Sequence, residues 1–183
     1  MIKNLYYRNY YEYSKKSLTV IGVTLAVTST PTVFASGTIN FTGEITDIAC
    51  TVDSNSKNLN VDLGKVSAKS LAAQGEVAGL KDFTIKLVDC PTNSKVTVRF
   101  GGTRDTADND ILAINQAVGV ANNVGVALFE KDAITQIKLF EDSKQIEFDG
   151  TTVDLDYVAR YKATGVVTAG PANSSAVYSI QYH

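Results

Sequence analysis

The chain is poor in the residues on which most catalytic and metal sites depend. Its 183 residues contain one His, which is the last residue, two Cys, one Met and no Trp. This composition argues against a His-based catalytic triad and against a zinc site, so we expect neither an enzyme nor a cofactor. Lys and Arg number 17 against 19 Asp and Glu, and the formal net charge is −2. Nucleic acid is not an expected partner, because binding it requires a basic surface.

The N-terminal 35 residues have the composition of an export signal. A basic start is followed by an apolar run at 18–27 and by a polar stretch that contains Pro31. If cleavage follows Ala35, Val33 and Ala35 occupy the −3 and −1 positions that signal peptidase reads. The apolar run is shorter than the roughly 20 residues of a membrane span, which counts against the alternative of an anchor helix. We predict a signal peptide at residues 1–35, with cleavage after Ala26 as an alternative, and no membrane span after processing.

Cys50 and Cys90 are the two cysteines of the chain, and export would place them in an oxidising compartment. Two cysteines there most simply form one disulfide, which would close a loop of about 41 residues. The alternative is a redox-active pair, but such pairs usually have a short Cys-x-x-Cys spacing, which is absent here. We therefore predict a structural disulfide.

The remainder of the chain alternates between apolar and polar residues, which is typical of half-buried β-strands. The alternating segments are 39–45, 59–63, 83–87, 96–100, 124–128, 146–148, 153–157 and 178–182. Turn signals separate several of them: Gly101-Gly102, Asp108-Asn109-Asp110 and Asp149-Gly150. The one stretch with helical character, 67–78, is expected to form a single turn or a loop. Many short strands with such turns predict one mature domain that is an antiparallel β-sandwich.

Four segments carry a family resemblance. They are residues 37–45 (GTINFTGEI), residues 123–129 (NVGVALF), residues 159–165 (ARYKATG) and residues 169–183 (AGPANSSAVYSIQYH). Cys50 follows Gly43 by seven residues, Gly170 stands fourteen places from the end, and Tyr182 is next to last. In this order, together with two Cys and a leader, these segments resemble the pilins of the chaperone–usher class, close to the type 1 fimbrial subunits.

The resemblance implies an all-β, immunoglobulin-like antiparallel sandwich whose final strand is missing from its own chain. A strand donated by a second molecule fills the open groove of such a pilin. In the family a periplasmic chaperone lends this strand first, and at the outer-membrane usher the N-terminal extension of the next subunit replaces it. The implied function is that of a structural fimbrial subunit at the cell surface that contributes to adhesion. The implied partners are the chaperone, the usher and neighbouring pilin subunits.

The resemblance also assigns roles along the chain. Residues 36–44 resemble the donor extension and residues 45–183 the pilin domain. Alternation places four donor residues on one face: Gly37, Ile39, Phe41 and Gly43. The two apolar side chains would be buried in a neighbour, and the glycines would allow close backbone approach. The alternative is that this segment is the first strand of the chain's own sandwich.

On the acceptor side, the last strand would present Tyr178, Ile180 and Tyr182 inward. The resemblance implies that these residues, Gly170 and the terminal His183 are recognised by the chaperone or the next subunit. The alternative is an ordinary C-terminal core strand that follows a loop glycine.

Two other functions stay open from the sequence. A carbohydrate-binding tip adhesin would need a further receptor domain, for which a mature chain of roughly 150 residues has no room. An unrelated secreted β-sandwich binding module would be complete and stable as a monomer. The donor segment favours the structural fimbrial subunit over both.

Overall fold

The computed structural model describes residues 38–43 and 49–183. The predicted signal peptide, residues 1–35, lies outside the described residues, and so does Gly37. The short segment 38–43 is exposed and has no regular secondary structure. Among the residues described, no helix has the length and apolar character needed to cross a membrane.

The regular secondary structure of residues 49–183 consists almost entirely of β-strands, as the alternating pattern predicts. The strands are β1 (Thr51–Val52), β2 (Val77–Val88), β3 (Ser94–Gly102), β4 (Leu112–Ala113), β5 (Val124–Glu130), β6 (Gln136–Ile137), β7 (Ile146–Phe148), β8 (Thr152–Ala163) and β9 (Ala176–Tyr182). Two single turns of 3-10 helix, Ser54–Ser56 and Ala68–Leu71, complete the elements. The second is the short turn expected within 67–78.

The strands form two antiparallel sheets. The larger sheet has the order β1-β2-β8-β5-β4, and β6 also pairs with β5. The smaller sheet has the order β7-β3-β9. Ile85 lies opposite Leu155 in the larger sheet, and Val98 lies opposite Ile180 in the smaller one. The predicted antiparallel sandwich is confirmed.

Side chains from both sheets meet in one core, and an aromatic trio joins the two layers. Phe83 and Tyr157 come from β2 and β8 of the larger sheet, and Phe100 comes from β3 of the smaller sheet. The three ring centroids lie 5.1 to 6.1 Å apart, and Phe100 meets each of the other two rings edge to face. Such edge-to-face contacts stabilise aromatic pairs beyond the apolar area that they bury.

The structure corrects two sequence predictions. The alternating segment 59–63 is not a paired strand; its environment is described with the site below. Gly101 and Gly102 do not form a turn but lie inside β3. A side chain at Gly102 would collide with its neighbours, because a Cβ atom there would stand 2.5 Å from Leu112 Cδ2 and 2.9 Å from Ser175 O. The glycines therefore permit close packing instead of reversing the chain.

The predicted disulfide is present and joins Cys50 to Cys90. Cys90 follows the end of β2, and Cys50 precedes β1, which pairs with the same end of β2 through Thr51 and Val88. The disulfide therefore fastens the first short strand of the larger sheet to its long neighbour.

An extended segment without regular strand pairing, residues 164–175, runs beside residues 113–123. Asn115 N donates to Asn173 O at 2.7 Å, and Ala121 N donates to Pro171 O at 3.0 Å. At Gly170 the two backbones touch. A Cβ atom there would meet the main chain of residues 119–121, at 2.5 Å from Ala121 N. Only glycine fits, because main-chain atoms cannot rotate away as a side chain can.

The disulfide should contribute substantially to stability, because it restricts a loop of about 41 residues in the unfolded chain. Replacing both Cys50 and Cys90 by Ala is expected to lower the free energy of unfolding by about 2–4 kcal/mol. Urea unfolding at micromolar chain concentration, followed by circular dichroism, measures this loss. The unsubstituted chain with its disulfide reduced should match the variant. Equal midpoints for the oxidised and reduced chains would contradict the prediction.

The close contact at Gly170 predicts a second stability effect. The substitution Gly170→Ala should destabilise the fold by about 1–3 kcal/mol, because the added methyl group collides with main-chain atoms. Gly150→Ala is the matched control, since the nearest atom to a Cβ there, Thr152 O, is 3.7 Å away. Resistance to limited proteolysis should fall for the first variant and not for the second. Equal resistance of both variants would show that the contact at Gly170 is not restrictive.

Candidate functional site

A groove with an apolar floor borders the core of the sandwich. Its volume is about 1030 Å³, and its walls are residues 57–66 on one side and residues 167–178 on the other. The floor consists of side chains that belong to the core or touch it: Leu71, Phe83, Phe100, Leu112, Val126, Leu128 and Tyr161. Side chains of the core therefore form the floor of the groove.

The first wall contains the segment that alternates at 59–63. Val61 and Leu63 are half-buried and pack against the core, while Leu59 is 37% exposed. No strand pairing and no backbone hydrogen bond joins residues 57–66 to another part of the described chain. The alternation therefore has the form of a strand, but the described residues include no strand beside it.

The second wall combines the extended segment around Gly170 with the beginning of β9. In the described part of the chain, β9 pairs with β3 alone. Its inward side chains, Tyr178 and Ile180, are only half-buried although both pack against the core. As far as the described residues extend, the sheet ends at β9, and the groove lies beside the first half of this edge strand.

Three tyrosine hydroxyl groups donate hydrogen bonds to main-chain carbonyl groups near the groove. Tyr178 Oη donates to Ser56 O at 2.8 Å, Tyr182 Oη donates to Cys50 O at 3.2 Å, and Tyr161 Oη donates to Ala172 O at 3.0 Å. Burial raises the pKa of all three tyrosines. The hydrogen bond to Cys50 acts in the opposite direction on the pKa of Tyr182. At neutral pH the hydroxyl groups therefore keep the protons that they donate.

The predicted acceptor residues occupy different places relative to the groove. Gly170 and Tyr178 line it. Ile180 and Tyr182 pack against the core beyond its end and are not among the lining residues. His183 continues the edge strand, since its backbone N donates to Lys95 O at 3.0 Å, and its ring Nε2 lies 3.2 Å from Thr97 Oγ1.

Of the predicted donor residues, the structure describes Ile39, Phe41 and Gly43. Ile39 is 76% exposed and Phe41 is 89% exposed, which is unusual for apolar side chains of this size. A Cβ atom on Gly43 would meet nothing within 4 Å. The segment therefore offers two large apolar side chains and a glycine to solvent.

No motif in the sequence marks the first wall or the floor as part of a site. The floor consists of ordinary core positions such as Leu71 and Leu128, and nothing in their sequence pattern marks them as bordering a groove. The first wall was visible only as an alternating segment. Its charge-poor sequence, NLNVDLG, resembles that of any half-buried strand.

Comparisons with known proteins identify the family. The family model described as "Fimbrial protein" matches residues 39–183. The type-1 fimbrial protein, A chain, of Escherichia coli strain K12 is 36% identical over 162 residues, which cover 86% of this chain and 89% of that relative.

Solved structures agree with the family assignment. The crystal structure of a Burkholderia pseudomallei antigen and type I fimbria protein is 37% identical, covers 80% of this chain and 97% of its own, and superposes with a TM-score of 0.58. The P pilus rod subunit PapA shares the fold, with a TM-score of 0.62 at 20% identity over 73% of this chain and 99% of its own. These likenesses confirm the predicted immunoglobulin-like pilin sandwich. The chain belongs to the fimbrial protein family.

Proposed function

We propose that the chain is a structural subunit of a bacterial fimbria whose sandwich is completed by a strand that another molecule donates. The observation that carries this proposal is the apolar groove of about 1030 Å³ between residues 57–66 and 167–178. An apolar groove of this kind, beside unpaired strand edges, favours association with another chain. Because the relatives named above are fimbrial proteins, we infer a structural role for this chain and not an enzymatic one.

The backbone around the groove supports strand addition as the mode of association. The free edge of β9 and the segment 57–66 both carry main-chain groups that lack strand partners in the described residues. A strand between them can form hydrogen bonds on both sides while its alternate side chains enter the groove. The seven residues 37–43 would span about 23 Å in extended form.

The exposed segment before the sandwich has the residues that such a strand needs. Ile39 and Phe41 lie on one face with Gly43 and, by the sequence pattern, with Gly37. Burial in a neighbour's groove would stabilise the complex by roughly 1.5–3 kcal/mol for each large side chain. In this proposal each subunit donates residues 37–43 to one neighbour and accepts the same segment from another.

The order of partners follows from the family resemblance. In this proposal a periplasmic chaperone occupies the groove first, and the neighbouring subunit replaces it at the outer-membrane usher. Tyr178, Ile180, Tyr182 and His183 form the strand that both partners contact. We assign Gly170 to the shape of the groove wall, since its close main-chain contact gives it a structural reason.

The proposal also divides the chain. Residues 1–35 are a signal peptide that is removed on export, residues 36–44 are the donor extension, and residues 45–183 are the pilin domain. The subunit passes through the periplasm and resides in the fimbria on the cell surface, where the fibre contributes to adhesion.

A chain that supplies its own donor strand should not need a partner. We expect the mature chain expressed alone in the periplasm to aggregate or give a poor yield, because its core is open to water. Adding a copy of residues 36–45 after His183 through a short Gly/Ser linker should give a soluble monomer. Size-exclusion chromatography and circular dichroism measure both outcomes. Equal yield and an equal free energy of unfolding with and without the added copy would contradict the proposed function.

The added copy also allows its two faces to be compared. Within the copy, the equivalent of Phe41→Ala should lower the free energy of unfolding by about 3–5 kcal/mol, because it removes a buried aromatic side chain. The equivalent of Thr42→Ala is the matched control on the opposite face, and its effect should stay within about 0.5 kcal/mol. Urea unfolding of both variants makes the comparison. Equal losses would mean that the strand does not bind through the Ile39 and Phe41 face.

A further inference from the structure

Two tyrosines of the edge strand connect it to the opposite side of the sandwich. Tyr178 and Tyr182 lie on the same face of β9, four residues apart, with Ile180 between them on that face. Their hydroxyl groups donate to Ser56 O at 2.8 Å and to Cys50 O at 3.2 Å. Both acceptors belong to the short stretch 50–56, which includes β1.

The two acceptors are firmly attached to the larger sheet. Cys50 is bound through the disulfide to Cys90, directly beyond the end of β2. Ser56 is 4% exposed, and its Oγ accepts a hydrogen bond of 2.9 Å from Lys86 N, in β2 of the same sheet. The tyrosine hydroxyl groups therefore tie an edge strand of the smaller sheet to a fixed point on the larger one.

These hydrogen bonds lie where the groove ends. The first wall begins at Lys57, next to the acceptor Ser56, and the second wall ends at Tyr178, the donor. Beyond this pair, Ile180 and Tyr182 fill the space against the core. The bond between Tyr178 and Ser56 thus joins the two walls at one end of the groove.

Strand β9 needs such a restraint while the groove is empty. Within the described residues its backbone pairs only with β3, and its inward side chains are half-buried. A strand with one neighbour and an incompletely covered face is free to fray or to tilt into the open groove. Two hydrogen bonds to the larger sheet oppose both movements.

We propose that the hydroxyl groups of Tyr178 and Tyr182, which we name the tyrosine clasp, hold β9 in the position that accepts a donated strand. Both are positioning residues, and the inference rests on the proposed function of the groove. The clasp increases the fraction of empty chains whose groove is ready to bind, and the apparent affinity for a strand rises with that fraction. Loss of two neutral hydrogen bonds should slow strand capture about tenfold.

The experiment compares the mature chain, residues 36–183, with its Tyr178→Phe, Tyr182→Phe and double variants. Each protein is refolded by dilution with its disulfide intact and mixed with a fluorescein-labelled synthetic peptide of residues 37–45. Fluorescence anisotropy gives the rate of peptide capture, and hydrogen–deuterium exchange compares protection of β9 with that of β8. Tyr157→Phe is the matched control, because it loses a hydroxyl contact of 3.3 Å with Ser143 Oγ and does not line the groove.

We expect the double variant to capture the peptide about tenfold more slowly and to lose protection in β9 but not in β8. The control should retain both the capture rate and the protection of β9. An unchanged capture rate in the double variant would overturn the proposed role of the clasp. A faster rate would also overturn it, because the two hydrogen bonds would then hinder entry of the strand. If the double variant does not fold, the same measurements on the single variants test the proposal. Each single variant is expected to capture the peptide about threefold more slowly.

Failure of the clasp and failure of the proposed function give different results. If the unsubstituted chain does not capture the peptide at all, the groove does not bind the donor strand, and both proposals are wrong. If the unsubstituted chain captures it and the Phe variants do so equally fast, only the clasp is wrong.

Discussion

An apolar groove borders the core beside β9, and the incomplete cover of the core there is the constraint on which the other features depend. A sandwich normally covers its core with strands from both sheets, and here one position beside the edge strand is open among the described residues. Closing it requires apolar side chains and main-chain partners together, which a β-strand supplies in a single element. In the proposed donor segment, the exposed Ile39 and Phe41 are the apolar side chains that could cover the groove of a neighbour.

A sandwich with an open groove must keep its walls apart. Several contacts around the groove hold the surrounding elements in place. The aromatic trio of Phe83, Phe100 and Tyr157 joins the two sheets below it. The disulfide fastens β1 to β2, the tight main-chain contact at Gly170 secures the second wall, and the tyrosine clasp joins the two walls at one end. In the proposed fibre each subunit carries one donor and one acceptor, so the contact is head to tail and need not close into a ring.

Much of the fold could be predicted from local sequence signals. The alternating patterns that became β2, β3, β5, β8 and β9 indicated strands because side chains in a strand point to opposite faces in turn. The pattern failed at 59–63, which alternates but has no described strand partner. It also failed at Gly101 and Gly102, since glycine is common both in turns and where a strand packs closely against its surroundings.

The sequence by itself determined the strand content, the pairing of Cys50 with Cys90 and the family, because each depends on short motifs or on the number of cysteines. Only the tertiary structure decided which alternating segment borders the groove. It also decided that Tyr178 lines the groove while Ile180 and Tyr182 lie beyond its end. The physical reason is that alternation records which face of a strand is buried. It carries no information about whether a neighbouring strand is present.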